Sequence, residues 1–415
     1  RKATRLLQRR TGLSFRSENH SQVSGRLEET MATILLPSIM KIGAGASRLL
    51  PEVLRQLKCS QPLLVTDTFV HKTGLMKPTE GALKEAGISY HIFHGAVPDP
   101  TTDSLVPALE LLKRTPKIDC VVGFGGGSSL DTAKALAVLA RHPGPMRRHK
   151  VPSEAPLGLP VLAIPTTAGT GSEVTRFAIV TDSETQEKML CLGPGLLPAA
   201  ALVDFELTMN KPMRLTADSG LDSLCHALEA YVSRKSNPFT DALALTAMST
   251  ISQCLRTACF QPSDRSAREQ LMLASTQAGI AFSNASVTLI HGMSRPIGAH
   301  FHVPHGLSNA MLLPSITAFS LPGAPQRYAQ ASRAMGFADA STSDAKANIA
   351  LMDGLLTMTA DLQVPTMSQF GVERGTCLAN AELMSQQALA SGSPLNNPVI
   401  PTHEEMIRLY EGLYA

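Results

Sequence analysis

Asp222 and His226 lie four residues apart in Gly220-Leu221-Asp222-Ser223-Leu224-Cys225-His226-Ala227-Leu228-Glu229. On a helix that spacing brings both side chains to one face, where a carboxylate and an imidazole can grip a single ion. His291 and His305 follow, each beside a glycine, in His291-Gly292-Met293 and Pro304-His305-Gly306. Three imidazoles and one carboxylate suit a divalent first-row transition metal, iron or zinc, better than calcium or magnesium. Spacing alone leaves a second reading open, a helical Asp222–His226 ion pair with unrelated surface histidines. Cys225 precedes His226 by one residue, so it turns about 100° from the ligand face and reads as packing.

A second chemistry is written in Gly123-Phe124-Gly125-Gly126-Gly127-Ser128-Ser129-Leu130-Asp131-Thr132-Ala133-Lys134, which follows an apolar run and opens a helical pattern. Glycines let a backbone approach a pyrophosphate, and a helix N-terminus offers free N–H groups and a favourable dipole. Ser128 and Asp131 have the spacing of a capping box, with Asp in place of the commoner Glu or Gln. No Gly-Lys-Ser/Thr follows the glycines, so this is not a Walker loop. Nor is it the standard dinucleotide fingerprint, whose ribose-binding acid comes about 20 residues after the glycines. Here the acid, Asp67, precedes them on a different strand. It either accepts from a ribose 2′-hydroxyl, repelling a 2′-phosphate and so favouring NAD over NADP, or it simply forms a turn. Pro165-Thr166-Thr167-Ala168-Gly169-Thr170-Gly171-Ser172-Glu173 also follows an apolar run. Its hydroxyls and glycines suit contacts to nicotinamide, ribose or phosphate, and equally suit an ordinary polar loop.

The elements that must hold these residues follow from periodicity. Short apolar runs at 62–67, 88–93, 119–124, 159–164 and 200–204 alternate with helical patterns such as 47–57 and 102–113. That alternation predicts an α/β domain with a parallel sheet covered on both faces. Residues 176–181 and 187–191 read as a hairpin. Past residue 212 strand signals nearly vanish and helices take over, including 217–233 and 238–259, the latter with Asn237 as N-cap and Pro238 in the first helical position. The expected boundary near Lys211-Pro212 gives an α/β dinucleotide-binding domain over 31–211 and an all-helical metal-binding domain over 212–415.

Size and composition agree with this division. The 415 residues are 44% hydrophobic and 17% charged, as in a soluble two-domain globular protein. A net charge of +3 without a basic stripe argues against a nucleic-acid partner. No apolar run approaches the roughly 20 residues that span a bilayer. Seven dispersed cysteines without a CxxC pair indicate reduced thiols. Residues 1–30 differ: Arg1, Lys2, Arg5, Arg9, Arg10 and Arg16 all precede the first acid, Glu18. That is the character of a transit peptide, although the chain opens on Arg and Met31 reads as an internal start. The extension is set aside from the fold. The cytoplasm is the expected location, with the mitochondrial matrix as the alternative if 1–30 directs import.

Taken together, 125–134, 165–173, Asp222-Ser-Leu-Cys-His-Ala-Leu-Glu-Ala-Tyr231, Asn237-Pro-Phe-Thr-Asp-Ala-Leu-Ala244 and the stretch from His291 to Pro314 closely resemble the iron-containing (group III) alcohol dehydrogenases. The resemblance runs in order from about residue 34 to 415. It implies a dehydroquinate-synthase-like fold, with catalysis in the cleft between the α/β and helical domains. Metal ligands fall on Asp222, His226, His291 and His305, binding Fe2+ with Zn2+ as an alternative. Cofactor contacts fall on Asp67, Gly126, Gly127, Ser128, Thr166, Thr167, Thr170 and Lys188, with Asp99 near the adenosine end. The implied reaction is hydride transfer between a small alcohol, with its aldehyde or ketone, and the nicotinamide, the metal polarising the substrate oxygen. The family also suggests a homodimer. A hydroxyacid–oxoacid transhydrogenase with a retained nicotinamide is the nearest enzymatic alternative, and a non-catalytic metal-binding scaffold is the alternative of another class.

One position departs from the family. Four residues after His291, where it commonly has another histidine that assists proton relay or shapes the pocket, this chain has Arg295. Arginine stays charged and relays protons poorly. It either pairs with a carboxylate or phosphonate on the substrate or is held by backbone carbonyls. His302, in His300-Phe301-His302-Val303-Pro304, is either a substitute relay or a packed or solvent-facing histidine.

Overall fold

A computed structural model describes residues 31–414; the arginine-rich start, with the transit segment expected there, lies outside the described residues. Six strands of the first half form one sheet: β1 (Ile39–Ile42), β2 (Pro62–Asp67), β3 (His91–Ala96), β4 (Cys120–Gly125), β5 (Val161–Pro165) and β8 (Ala200–Val203). The hairpin β6 (Phe177–Thr181) and β7 (Lys188–Leu192) stands apart as an antiparallel pair. The sheet runs β1-β8-β5-β4-β2-β3 and every pairing is parallel. Crossovers include α1 (Leu50–Gln56), α2 (Thr68–Thr73), α3 (Lys77–Glu85), α4 (Thr102–Arg114) and α5 (Gly127–Arg141). Helices cover both faces, which is why the central strands read as unbroken apolar runs. Leu63, Val65 and Val121 pack with Ala133 and Leu136 of α5, while Leu64, Val122 and Phe124 pack with Leu50 and Leu54 of α1.

The chain leaves adjacent strands β2 and β4 in opposite directions, toward β3 and β5 respectively. Such a switch point opens a crevice at the carboxyl ends of the two strands. Asp67 ends β2 and Gly125 ends β4, so the candidate ribose acid and the glycine loop arrive at one crevice. Two strand expectations needed adjustment. β3 begins at His91, three residues later than its apolar run suggests, because an edge strand takes its ends from its partner and His91 pairs with Leu63. The four-residue β1, absent from the expectations, is too short to carry a pattern and is defined by its pairing along β8.

The second half continues with α6 (Met213–Val232), α7 (Pro238–Phe260), α8 (Arg265–Ala285), α9 (Leu289–Phe301) and α10 (His305–Ser320). It ends with α11 (Pro325–Ala334), α12 (Asp344–Asp361), α13 (Met367–Phe370), α14 (Arg374–Ala390) and α15 (His403–Glu411). Among the described residues no strand follows Val203, and no helix is long and apolar enough to cross a membrane. α7 starts as expected, with Asn237 accepting from the Thr240 amide and Pro238 at the first position. α6 is the axis: from Thr216 to Val232 every residue except Ser219 is buried.

The loop after β5 joins the halves. Ser223 Oγ on α6 donates to the Gly169 carbonyl at 3.0 Å. Gly171, at φ 62°, meets α8 backbone to backbone: a Cβ there would lie 2.5 Å from Gly279 Cα, and a Cβ on Gly279 would lie 2.8 Å from Gly171 Cα. Only glycine fits on either side. Gly279→Ala should therefore cost about 1–3 kcal/mol through overpacking, seen as a lower denaturant midpoint at unchanged m-value. An unaltered midpoint would mean that the contact yields without strain.

Candidate metal centre and cofactor cleft

Three helices bring the expected ligands together. Asp222 and His226 lie on α6, His291 in the first turn of α9, and His305 opens α10. One ligand atom from each lies within 4.8 Å of all the others; three of the residues are buried and His305 is half-buried. Asp222 Oδ1 is 3.3 Å from His291 Nε2, 3.8 Å from His305 Nε2 and 3.9 Å from His226 Nε2. The His226 ring is stacked between Phe282 and His291, at centroid distances of 4.1 and 4.3 Å. Burial pushes His226 down to about 3 and His305 down to about 4, so both imidazoles are neutral with lone pairs to offer. Burial opposes ionisation of Asp222, yet the imidazoles of His226, His305 and His291 hold its carboxyl below the usual range. An isolated ion pair with scattered histidines does not produce this convergence.

Two residues that the sequence reading did not single out position the ligands. Glu229 Oε2 accepts from His291 Nδ1, leaving Nε2 toward the other ligands. Its Oε1 accepts from the Thr288 amide (3.0 Å) and hydroxyl (2.8 Å) and from the Ile290 amide (2.8 Å). α9 has no side-chain N-cap of its own, so Glu229 fixes both the ring and the turn that carries it. Asn309 Nδ2 donates to Asp222 Oδ1 at 2.7 Å and lies 3.1 and 3.2 Å from Nε2 of His291 and His305. The donors thus converge on one small space, and three nitrogens with one carboxylate oxygen fit a first-row divalent ion. A signal existed for both residues: Glu229 follows His226 by three positions and Asn309 follows His305 by four, each sharing its ligand's helix face.

The expected capping box at the glycine loop does not form. α5 starts at Gly127 with Gly126 as N-cap and no side-chain cap, which puts Ser128 inside the helix. Asp131 turns away, accepting from Ser172 Oγ at 2.7 Å and the Ile179 amide at 2.9 Å. Lys134, fully buried one turn on, donates to the carbonyls of Thr175 (3.0 Å) and Phe177 (2.7 Å). Burial pushes this lysine down to about 8. The uncapped start of α5 borders a cleft lined by Asp67, Gly126, Gly127, Ser128, Thr166, Thr167 and Thr170. Asp67 Oδ1 caps α2 through the Val70 amide at 2.8 Å, the turn-forming role, and the residue also lines the cleft, as does Lys211.

A second cavity of about 170 Å³ is lined both by Gly127, Ser128 and Thr170 and by His226, His291 and His305. Lys188 Nζ lies 3.0 Å from Asp99 Oδ1, and both line this cavity, as does Arg295. Arg295 donates from Nη1 to Ser393 Oγ at 2.9 Å, not to backbone carbonyls. His302 is the exposed, left-handed C-cap of α9 at φ 55° and does not line the cavity. The structure does not bring this expected relay to the site.

Comparison with known proteins agrees with this arrangement. Residues 37–205 match the family model "Iron-containing alcohol dehydrogenase", and residues 216–414 match "Fe-containing alcohol dehydrogenase family, C-terminal". The chain is 34% identical over 381 residues to an NAD-dependent methanol dehydrogenase of Bacillus methanolicus, covering 91% of this chain and 99% of that one. It is 36% identical over 394 residues to long-chain-alcohol dehydrogenase 1 of Geobacillus thermodenitrificans, covering 93% and 98%. Among solved structures, a 1,3-propanediol oxidoreductase superposes with a TM-score of 0.88 at 32% identity, covering 92% of this chain and all of the other.

Glu229→Gln keeps the shape but weakens the hold on His291. Metal affinity, read by competitive chelator titration, should fall about 10–100-fold, the usual cost of losing an outer carboxylate partner. Unchanged affinity would remove Glu229 from the metal centre.

Proposed function

The chain belongs to the iron-containing alcohol dehydrogenase family, and from that premise we propose that Asp222, His226, His291 and His305 hold Fe2+, in preference to Zn2+, beside an NAD seated on the glycine loop. It is a metal-dependent oxidoreductase that interconverts a small alcohol and its carbonyl compound by hydride transfer to or from a nicotinamide. One observation carries the assignment of residues: a single cavity is lined by the three histidines and by Gly127, Ser128 and Thr170.

A divalent ion at the four donors supplies Lewis acidity toward a substrate oxygen, and the nicotinamide supplies the hydride chemistry. The chain supplies position. The α5 amides and the Thr167 and Thr170 hydroxyls would hold the dinucleotide; the Thr166 hydroxyl is sealed from the cleft that its residue lines. Phe177, Ile179, Leu190, Phe282 and Val287 give the inner cavity an apolar wall that keeps water from the reacting carbon and holds it near the nicotinamide. The preference for NAD rests on Asp67, whose carboxylate at the cleft repels a 2′-phosphate; Lys211 on the same cleft moderates that repulsion. Seven buried, unpaired cysteines fit a reducing compartment such as the cytoplasm.

Anaerobic protein reconstituted with Fe2+ should oxidise NADH in the presence of aldehydes or ketones. His226→Ala should lose bound metal and turnover together, and activity that survives metal loss would sink the assignment. Replacing Asp67 with Ser should raise the NADPH/NADH ratio of kcat/KM by about tenfold, given the cost of juxtaposed like charges. If the ratio stays put, Asp67 acts only as the cap of α2.

A further inference from the structure

Arg295 is a cation without a counter-charge in a cavity whose other charges are matched. The acidic residues lining that cavity are Asp99 and Asp131. Asp99 is paired with Lys188, and Asp131 is occupied by Ser172 Oγ and the Ile179 amide. Arg295 forms only the Nη1 bond to Ser393 Oγ among the described residues. Its Nε and Nη2 have no protein partner, yet they are not among the sealed polar atoms, so they keep accessible surface. Glu229 attracts the guanidinium electrostatically, but its oxygens are spent on Thr288, Ile290 and His291. Burial lowers Arg295 to about 10, which leaves it charged at neutral pH.

A half-buried guanidinium without an anion is costly, and a planar fork of free N–H groups matches a carboxylate, sulfonate or phosphonate. Its position also puts it near the candidate metal ligands. Arg295 follows His291 by one helical turn, so their Cβ atoms are about 6 Å apart on one face of α9. Ser393 tethers the guanidinium, and Pro394 beside it packs on α9 at Gly292. The same cavity is lined by Phe282 and Val287, which suits an aliphatic segment of the substrate.

We propose that Arg295 seats the anionic end of the substrate, and that the preferred carbonyl compounds are short ω-carboxylate, sulfonate or phosphonate aldehydes. This rests on the dehydrogenase reading of the same cavity and narrows its substrate class. The oxidised partner is then an aldehyde acid and the reduced partner the matching ω-hydroxy acid, with hydride and proton balanced as in any alcohol–aldehyde interconversion.

The test compares NADH-dependent reduction of butanal and 4-oxobutanoate by the Fe2+-loaded protein. The wild type should favour 4-oxobutanoate at least tenfold in kcat/KM, mainly through KM. In Arg295→Ala that ratio should fall at least tenfold, and Arg295→Lys should restore part of it. Equal kcat/KM values in the wild type, or an equal loss for both aldehydes in Arg295→Ala, would overturn the proposal. Calorimetric titration of ethanesulfonate, without cofactor, separates this proposal from the reading beneath it. Binding by the wild type and not by Arg295→Ala supports the anion seat even if neither aldehyde turns over, an outcome that would sink only the dehydrogenase reading. Absence of ethanesulfonate binding by a protein that reduces both aldehydes equally well sinks the anion seat alone.

Discussion

The Glu229 carboxylate accepts from the Thr288 and Ile290 amides, from the Thr288 hydroxyl and from the His291 imidazole, and the geometry of the whole centre hangs on that buried anion. Burying a charge is affordable only when its lone pairs are met, and here the start of α9 meets them. Because hydrogen bonds to charged groups contribute about 1.5–3 kcal/mol each, the first turn of α9 has one well-determined place. His291 comes from that turn and Arg295 from the next. The carboxylate therefore sets where the metal ligand stands and also where the cavity's unmatched cation stands.

The cofactor side has a comparable knot. Lys134, on α5, reaches the carbonyls of Thr175 and Phe177, and Asp131 on the same helix holds Ser172 and Ile179. The helix whose first turn borders the cleft is thereby bound to the loop and hairpin that also line the cavity. That hairpin begins its second strand with Lys188. Two positions proposed for the cofactor, far apart in sequence, are thus linked by buried polar contacts between α5 and the hairpin.

What the sequence made legible follows this division. The Asp222–His226 pair and the glycine loop could be read from local spacing, since the pair shares a helix face and the glycines stand between a strand and a helix; His291 and His305 joined them only through the family resemblance. The parallel sheet was legible because central strands buried on both faces are apolar throughout. Glu229 and Asn309 were overlooked because their function exists only where α6, α9 and α10 meet; in sequence they are one acid and one amide among many. The Ser128–Asp131 spacing misled for a related reason. A cap forms only if the helix starts at the capping residue, and this helix starts earlier, freeing Asp131 for a tertiary partner. His302 looked equivalent to a relay by residue type, but the left-handed turn that ends α9 leaves it exposed. Arg295 was readable as a departure, and its unmatched charge became evident only when the other charges of the cavity were paired off.

The meeting of Gly171 and Gly279 has a mechanical side. Two backbones in direct contact leave no room for a side chain between them, and the contact lies beside Phe282, which stacks on His226. A movement of the halves that kept this contact would be a rotation about that point. Displacement is smallest near the ligands and grows toward the rim, where Phe69 and Leu215 are exposed beside the cofactor cleft. A dinucleotide seated in that cleft would then exchange through the outer lips, with the candidate ligands near the pivot left in place.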